Sequence, residues 1–431
     1  MKRYGIVVEQ LRRNVPGGIG TYARGLIQGL NIATGSDPSS NTDVSEDAAN
    51  KATKYHGTSS NVPGSTVTGN DPRCGGQIDF RDHEESILLI ASAVSKAPDP
   101  LAGLGEIWSP LRGITVGHRI IQRGWDNRLF AAPPGLDVVH ATSFAQPPRR
   151  VSAKRSEKFR TMYVHDLAWR THPEAYPEAG RIWHERALAR ALREVDEFFV
   201  PSKATEEALR VASRLEISVH MITEGCDHLP LLASSFGYRE DDQLVNTGGE
   251  PGYLLTVSTR EPRKNLARLL QAYGVCRSEL KRLGLPVLPL RIVGPNGWSN
   301  ADGDPTLPAQ LPEGVELVGA VSDLELVRQM QGARAFVYVP LVEGFGLPPL
   351  EAMRAGVPVI CSAVPSVWES NPDAGCIVDP LLSESIVDGI MCVLTNEEER
   401  VRLIAAGGAL AQTRTWQRCA GQHLERWRMA S

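Results

Sequence analysis

The chain has 431 residues, which is too long for one ordinary hydrophobic core and suits two domains of roughly 150 to 200 residues each. Apolar residues make up 42% and charged residues 22% of the sequence, a composition that can fill sizeable cores and excludes wholesale disorder. The formal net charge of -4 lacks the basic surplus of a general nucleic-acid binder, so we expect small-molecule chemistry and no nucleic-acid partner.

The first half of the chain alternates short apolar runs with helical patterns. Residues 4–9 form the first predicted strand, and in the following segment GGIGTYARGLIQGL the apolar residues repeat at helical spacing. Further strands are predicted at residues 86–95, from 137, from 161 and at 197–202, with helices at 184–195 and 203–213. This alternation predicts buried parallel strands.

Two polar stretches interrupt the alternation. Residues 34–76 are rich in Ser, Asn, Thr, Asp, Gly and Pro and hold hardly an aliphatic side chain, which predicts a flexible insertion. Residues 236–252 are polar and glycine-rich, as is typical of a linker. We therefore expect a first domain over 1–235, a second over 253–415, and a final helix over 416–431 that packs back toward the first domain.

The second half repeats the pattern of the first. Strands are predicted in YLLTVS, LRIVG, VELVG, AFVYVP and PVICSA, and helices from Asn265, Asp323 and Pro349. Continuously apolar strands indicate sheets covered by helices on both faces, so the predicted fold class is α/β with two doubly wound parallel-sheet domains. Ligands of such sheets bind beyond the carboxyl ends of the strands, in the crevice between the domains.

A glycine cluster, Gly17-Gly18-Ile19-Gly20, opens the first predicted helix. Backbone amides without side-chain obstruction can approach an anion there, although a tight strand-to-helix turn would use the same residues. The cluster lacks the further glycine and the later acidic residue of the GxGxxG dinucleotide pattern. A nicotinamide-dependent enzyme is therefore disfavoured.

A basic cluster, TREPRKN, follows the first strand of the second domain and begins its first helix. Cations at a helix amino terminus are unfavourable unless an anion neutralises them, and a phosphate is the natural partner. The guanidinium of Arg263 can bind oxygens in bidentate fashion, while Lys264 supplies a compact charge. A solvated basic surface is the alternative, which the position at a strand end disfavours.

An acidic and glycine-rich run, VEGFGLPPLEAM, follows the predicted strand AFVYVP. Glu343 stands at the strand end, the glycines expose backbone amides, and Glu351 lies near the start of a helix. Carboxylates can accept hydrogen bonds from sugar hydroxyls while amides and the helix dipole face a phosphate. The run therefore suits both ends of a nucleotide sugar, although Glu351 could also serve only to stabilise the helix start.

Metal and membrane signals are weak in this sequence. Asp302-Gly303-Asp304 spells a DxD pattern, but it lies among turn-forming residues where carboxylates are normally solvated. Seven scattered cysteines without CxxC spacing indicate a reduced cytosolic protein without a zinc site. The apolar run at the amino terminus stops after Val8, far short of a signal-peptide core, and no later run approaches the roughly 20 residues of a membrane span.

Together these motifs resemble the family-4 retaining glycosyltransferases, whose Glu-x7-Glu motif is matched by Glu343 and Glu351. The likeness spans nearly the whole chain and includes the segments EGFGLPPLEAMRAGVPVICS, STREPRKNLARLLQAY, IVGPNGW, LVGAVSD, GGIGTY, YVHDLAWRTHPEAYP, FFVPSKAT and EGCDHLP. Residues 34–76 and the segment WESNPDAG depart from the family pattern, and these departures bear on the acceptor side. The resemblance implies the GT-B fold, in which two Rossmann-like domains face each other across a cleft, the first on the acceptor side and the second binding the nucleotide-sugar donor.

The resemblance also implies roles in donor binding. Arg263 and Lys264 would hold the donor diphosphate, which Gly17 and Gly18 would meet from the first domain. Arg260 is a second arginine candidate, because some relatives place this cation earlier. With two cations to neutralise the diphosphate, we expect no metal and no other cofactor.

The sugar, the ribose and the base would bind farther along the second domain. The resemblance implies that Glu351 binds the ribose hydroxyls and that the turn from Val318 to Val321 holds the base. Glu343 would contact the transferred sugar together with the backbone amides of Gly344, Phe345, Gly346 and Leu347.

Histidines of the first domain are the remaining candidates. The resemblance implies that His165 approaches the sugar, although a histidine that ends an apolar strand is more often structural. The neighbouring Asp166 could orient the ring or cap the next helix, and we favour the structural role. His140 ends another predicted strand, where lining the acceptor cleft and packing in the core are equally expected.

The resulting hypothesis is a cytosolic glycosyltransferase that moves a hexosyl group from a nucleoside diphosphate sugar to a hydroxyl with retention. The forms EPRKN, HDLAW and VGPNGW are most similar to mannosyltransferase-type members, which points to GDP-mannose as the donor. The acceptor would be a sugar or glycoconjugate, with peripheral membrane contact if it is lipid-linked. A GT-B phosphorylase and a non-catalytic sugar-nucleotide binding protein are the alternatives.

Overall fold

The computed structural model describes residues 2–13, 17–35, 85–93, 99–111, 117–150, 157–214, 216–230, 252–297, 307–308, 310–371 and 373–430. The predicted insertion 34–76 lies outside these residues from position 36 onward, and so does the predicted linker 236–252 apart from Gly252. The DxD pattern at Asp302 and Asp304 also lies outside them.

The described residues of the first half form a sheet of seven parallel strands, which with its helices we call lobe 1. Its strands are β1 (Lys2–Val7), β2 (Glu85–Ile90), β3 (Glu106–Trp108), β4 (Val138–Ala141), β5 (Phe159–Tyr163), β6 (Glu197–Val200) and β7 (Ser218–Met221), in the order β3-β2-β1-β4-β5-β6-β7. Its helices are α1 (Gly17–Ala33), α2 (His118–Asp126), α3 (Ala168–Thr171), α4 (Glu178–Glu194) and α5 (Lys203–Ser213).

The second half forms a parallel sheet of six described strands, which with its helices we call lobe 2. Its strands are β8 (Tyr253–Val257), β9 (Leu290–Val293), β10 (Val315–Gly319), β11 (Ala333–Tyr338), β12 (Val359–Ser362) and β13 (Gly375–Val378), in the order β10-β9-β8-β11-β12-β13. Its helices are α6 (Leu266–Arg282), α7 (Asp323–Gln331), α8 (Leu347–Arg354), α9 (Pro365–Ser370), α10 (Ser383–Thr395) and α11 (Glu397–Gln412). The prediction of two doubly wound parallel sheets is confirmed.

Three interior strands are buried along their whole length, as expected for sheets covered on both faces. Every residue of β4, β6 and β12 is buried. The first strand was predicted over 4–9, but β1 ends at Val7 because the 3-10 turn Glu9–Arg12 lies between β1 and α1. Three of the four residues of this turn are buried, and the Glu9 carboxylate accepts hydrogen bonds from the backbone amide and hydroxyl of Ser92.

The last helix of the chain, α12 (Trp416–Ala430), packs against α1 in lobe 1. Two glycines of α1 allow the close approach: a Cβ on Gly25 would lie 2.1 Å from the Trp416 ring, and one on Gly29 would lie 2.2 Å from the Trp416 carbonyl oxygen. Trp427 is fully buried and donates a hydrogen bond from its indole to the hydroxyl of Thr161. The core of lobe 1 therefore includes residues from both ends of the chain.

Candidate active site

The candidate site lies at the carboxyl edge of the lobe 2 sheet, between β8 and β11, where the strand order reverses direction. In open α/β sheets this switch point is where ligands bind. The 3-10 turn Pro262–Lys264 follows β8, and Asn265 after it has a left-handed backbone with φ of 59°. The Asn265 amide donates to the carbonyls of Val339 and Pro380 at 3.0 and 2.8 Å, which fixes the basic turn to the loops after β11 and β13.

A compact charge cluster occupies this edge. One oxygen of Glu343, Oε1, accepts hydrogen bonds from Arg263 at 3.0 Å, from the Tyr338 hydroxyl at 2.8 Å and from Lys264. Lys264 also donates to the Tyr338 hydroxyl at 2.9 Å, and Arg263 pairs with Glu261 at 2.8 Å. The side chains of Lys264 and Glu343 are only 9% and 12% exposed, so their charges interact with little solvent screening.

The protonation of Glu343 follows from these partners. Burial raises the pKa of its carboxyl, but the charges of Lys264 and Arg263 and the hydrogen bonds outweigh burial and lower the pKa to about 2. Glu343 is therefore a carboxylate at any physiological pH. Its second oxygen, Oε2, has no hydrogen-bond partner among the described residues, so it can accept a hydrogen bond from a ligand hydroxyl.

The glycine-rich loop after Glu343 meets lobe 1 at very short range. A Cβ on Gly344 would lie 1.8 Å from the carbonyl oxygen of His165, so only glycine fits there. Gly346 has φ of 99° and precedes Leu347, the first residue of α8, while Phe345 is buried in the lobe 2 core. The loop thus brings the amino terminus of α8 to the crevice, where amides can meet an anion.

Glu351 lies inside α8 and forms an ion pair that the sequence did not indicate. Its Oε1 is 3.2 Å from Nε2 of His228, and both side chains are largely buried. Burial lowers the pKa of His228, but the hydrogen bond and charge of Glu351 outweigh it and raise that pKa above its ordinary value. The carboxylate of Glu351 is therefore held in one orientation by a histidine whose protonated form it favours.

His165 stands at the carboxyl end of β5, across the crevice from this loop. Its Nε2 lies 3.0 Å from the carbonyl of Thr142 and its Nδ1 lies 3.3 Å from the carboxylate of Glu224. The ring of Tyr22 contacts it edge-on. Asp166 accepts a hydrogen bond from the amide of Ala168, the first residue of α3, which is a local turn contact, since Leu167 is the cap residue of that helix.

The other predicted positions lie apart from the charge cluster. Gly17 and Gly18 are exposed at the start of α1, and no described atom lies within 4 Å of a Cβ built on either of them. Val318 and Val321 flank the end of β10, two strands away from β8, which corresponds to about 10 Å across the sheet.

His140 packs in the lobe 1 core and does not line the crevice. It is fully buried, and its ring nitrogens face the hydroxyls of Tyr22 and Thr161 at 3.1 and 2.8 Å. Tyr22 also contacts Nε2 of His423, from α12, at 2.9 Å. This settles the alternative that the sequence left open, in favour of packing.

A contact between the lobes was missed by sequence reasoning. The hydroxyl of Ser202, at the amino-terminal cap of α5, donates to the carbonyl of Gly344 at 2.9 Å. The carboxylate of Glu369, from α9, accepts from the amides of Lys203 and Ala204 at 2.7 and 3.1 Å. We call these contacts the α5 clasp; they join lobe 1 to the loop that carries Glu343 and to α9.

Tyr338, Glu224 and His228 were also missed. Tyr338 ends an apolar strand and looks like an ordinary core residue in sequence, so nothing marked it as a partner of Glu343. Glu224 and His228 lie in EGCDHLP, a segment that resembles the family. This likeness was the available signal that the two residues belong to the site.

Within the part of the chain that the structure describes, no group of three or more His, Cys, Asp or Glu side chains is arranged to hold a metal ion. None of the helices in the described ranges is both long and apolar enough to cross a membrane.

Comparison with known sequences gives related mannosyltransferases. Residues 238–409 match the family described as glycosyl transferases group 1. The chain is 37% identical over 297 residues to O-antigen chain mannosyltransferase B of Escherichia coli, which covers 68% of this chain and 74% of that protein. It is 30% identical over 170 residues to a phosphatidyl-myo-inositol mannosyltransferase of Mycobacterium tuberculosis, covering 38% of this chain and 43% of that protein.

Comparison with solved structures gives proteins of the same fold. Sucrose-phosphate synthase from Thermosynechococcus elongatus superposes with a TM-score of 0.64 at 15% identity, covering 100% of this chain and 99% of that chain. HepE of Anabaena, solved in complex with UDP and glucose, superposes with a TM-score of 0.58 at 14% identity, covering 99% of both chains. At these identities the likeness establishes the architecture alone.

Proposed function

The chain belongs to the glycosyl transferases of group 1, and from this membership we propose that it transfers a mannosyl group from GDP-mannose to a hydroxyl of a glycan acceptor, with retention of configuration. The observation that carries the proposal is the cluster of Arg263, Lys264 and Glu343 at the switch point of lobe 2. It combines cations for a diphosphate with a permanently ionised carboxylate for sugar hydroxyls.

Donor binding uses the edge of lobe 2 from β10 to β11. The diphosphate binds Arg263 and Lys264, the amides of Gly346 and Leu347 at the start of α8, and, from lobe 1, the amides of Gly17 and Gly18. Glu351 accepts hydrogen bonds from the ribose hydroxyls, and the guanine base reaches the turn from Val318 to Val321. The exposed start of α1 supports this arrangement, because no described side chain crowds it.

The reaction proceeds on one face of the sugar. The bond between C1 and the donor phosphate oxygen breaks with its electrons going to the diphosphate, the acceptor oxygen bonds to C1, and the acceptor proton moves to the departing phosphate. Arg263 and Lys264 stabilise the charge that develops on the leaving group. The low pKa of Glu343 makes it a poor base, which supports a positioning role for it, and His165 contacts the sugar from lobe 1.

Metal independence and a cytosolic location are parts of the same proposal. Two cations beside the diphosphate site take the place that a divalent ion holds in other transferases. Six described cysteines are free thiols, which supports a reducing compartment. The names of the relatives point to a glycan or a lipid-linked glycan as the acceptor, with peripheral membrane contact in the second case.

The test is a donor panel with the purified protein. We expect GDP-mannose to give GDP release that is strongly accelerated by α-mannosides, to an equal extent with EDTA and with Mg²⁺, and NMR of the product to show an α linkage. If the protein released a nucleoside diphosphate from UDP-glucose alone, UDP-glucose would replace GDP-mannose as the assigned donor. A β-linked product would overturn retention. Binding of GDP without turnover would favour a non-catalytic binding protein, and phosphate-dependent cleavage of a glycan would favour a phosphorylase.

A further inference from the structure

A cavity of about 550 Å³ opens at the carboxyl edge of lobe 2, beyond the strands β11, β12 and β13. It is within the range of about 300 to 1,000 Å³ that small-molecule sites occupy. One lining residue, His172, comes from lobe 1. The others follow the three strand ends in lobe 2: Leu341, Ala363, Val364, Pro365, Asp379, Pro380 and Leu381.

The cavity adjoins the charge cluster on the side away from the nucleotide. The amide of Leu341 donates to the carbonyl of Arg263 at 2.8 Å, and the hydroxyl of Ser366 donates to the carbonyl of Glu343 at 2.5 Å. The strand order puts β8, β9 and β10 on one side of β11 and puts β12 and β13 on the other. Along the edge of the sheet, the proposed order is therefore the base, the diphosphate, the transferred sugar and then a ligand in the cavity.

The lining is chemically unlike the diphosphate site. None of the described residues that line the cavity is Lys or Arg, and the Asp379 carboxylate repels an anion. Oδ1 of Asp379 accepts from the amide of Leu381 at 2.8 Å, while Oδ2 has no partner among the described residues. Nδ1 of His172 lies 3.1 Å from the hydroxyl of Thr171, and Nε2 likewise has no described partner.

These features suit an uncharged, hydroxyl-rich ring. The carboxylate and imidazole can bond to hydroxyls, and the apolar faces of Leu341, Val364 and Pro380 can pack against the C–H face of a pyranose. We propose that this cavity binds a sugar unit of the acceptor glycan, at least one unit removed from the hydroxyl that is glycosylated. The proposal rests on the proposed function and extends it: the enzyme would read the length of its acceptor in lobe 2.

Ala363→Phe tests the proposal, because the added ring fills the cavity without touching the charge cluster. Ala405→Phe is the matched control, since Ala405 is exposed on α11, away from the cavity. For the wild type and the control we expect kcat/KM to rise at least about tenfold from methyl α-mannoside to α-linked mannotriose. In Ala363→Phe this rise should fall below about twofold, while GDP binding and GDP-mannose hydrolysis stay unchanged.

Binding is measured separately from turnover. Saturation-transfer NMR in the presence of GDP should show mannotriose on the wild type and on Ala405→Phe but not on Ala363→Phe, with maltotriose as a second saccharide probe. Wild-type protein that binds neither trisaccharide, or an Ala363→Phe variant that keeps the full length dependence, overturns the subsite. If the wild type binds the trisaccharide and Ala363→Phe does not, the subsite is supported. If the same wild-type protein releases no GDP from any donor, the proposed transferase reaction is rejected while the subsite stands.

Discussion

Three donors bond to one oxygen of Glu343. This geometry suits the carboxylate to accepting hydrogen bonds and not to taking up a proton. A carboxylate held by Lys264, Arg263 and Tyr338 is a fixed hydrogen-bond acceptor, and protonating it would weaken its interactions with both cations. The same contacts fix the two cations without satisfying all their donors, since Arg carries five N–H groups and Lys three. On the proposed function, a diphosphate would therefore meet side chains that are already in position.

We expect Lys264→Ala to lower kcat/KM for the donor by more than about a hundredfold, because loss of one charged donor to a developing anion typically has this size. The matched control is Lys281→Ala, since Lys281 is exposed on α6, far along the helix from the site. The measurement is steady-state GDP release, with melting temperatures of both variants. Lys264→Ala activity within about threefold of wild type would remove Lys264 from the diphosphate site.

Glu351→Gln should weaken binding of the nucleoside diphosphate by about 1.5 to 3 kcal/mol, because the amide keeps the shape but loses acceptor capacity toward ribose hydroxyls. The oxygen of glutamine can still accept from His228, so the fold should persist. Calorimetric titration with GDP measures the affinity, and Glu398→Gln, exposed at the start of α11, is the control. Equal affinities for wild type and Glu351→Gln would contradict ribose binding.

The contact between helices α1 and α12 depends on glycine residues in α1. Gly29→Ala should destabilise the protein by about 1 to 3 kcal/mol, because the new Cβ would collide with the backbone of Trp416, which cannot move aside. Gly274→Ala in α6 should instead stabilise by about 0.5 to 1 kcal/mol, since no described atom lies within 4 Å of that Cβ. Urea unfolding of both variants checks the opposite signs, and two stabilising alanines would show that α12 does not pack as described.

The same contact is sensitive to pH through a buried histidine. Burial lowers the pKa of His423 to about 4, and it lowers the pKa of His140, which faces the same Tyr22 hydroxyl, well below its ordinary value. In the unfolded chain a histidine titrates near about 6.5. The neutral form is therefore favoured in the fold, and the stability it confers is complete above about pH 6.5 and declines as the pH falls toward 4.

We expect the free energy of unfolding to fall between pH 6.5 and 4 more steeply in the wild type than in His423→Gln, by at most about 1.4 kcal/mol per pH unit. Glutamine can bond to Tyr22 but does not titrate, so the variant should be less stable at pH 7 and have a flatter profile. Urea unfolding at several pH values between 7 and 4 measures both slopes. Parallel profiles would assign the acid sensitivity to other groups.

Ten of the strands in the described residues were predicted, because they are short, mainly apolar runs bounded by polar or Gly-Pro residues. The strands β3, β7 and β13 were not predicted, since each has only three or four residues and includes a polar residue or a glycine. The helices α2, α10 and α11 were not predicted either. The start of α4 could not be predicted, since its first turns, EAGRIW, hold Gly180 and no apolar stripe, and the helix begins at Glu178 where the pattern suggested 184. In the site, the loops after β8 and β11 were found because they follow strand ends. Their partners Tyr338 and Ser202 were not, because those contacts depend on how strands and lobes come together.

The α5 clasp links the two lobes through the carbonyl of Gly344 and the carboxylate of Glu369. Glu369→Gln should weaken it by about 0.3 to 1 kcal/mol, because a neutral amide interacts less with the amino terminus of a helix. The donor KM should rise several-fold, and small-angle scattering should show a larger radius of gyration. Glu384→Gln, an exposed carboxylate in the first turn of α10 and within lobe 2, is the control and should change neither quantity.

Ser202→Ala is the companion change. It removes the hydroxyl that donates to Gly344 as well as the cap of α5, whereas Ser202→Thr keeps both functions. We expect Ser202→Ala to raise the donor KM and Ser202→Thr to restore it toward the wild-type value. If the alanine variant loses stability but keeps its KM, the contact would be structural only.

The packing of α12 on α1 has a consequence for synthesis on the ribosome. Domains generally fold in the order in which they emerge, the amino-terminal one first. Here Trp416 and Trp427, which complete the core of lobe 1, are made after all of lobe 2. We therefore expect nascent lobe 1 to keep part of its apolar surface uncovered until α12 has been made, while lobe 2, whose strands and helices are contiguous in the chain, can complete its core first.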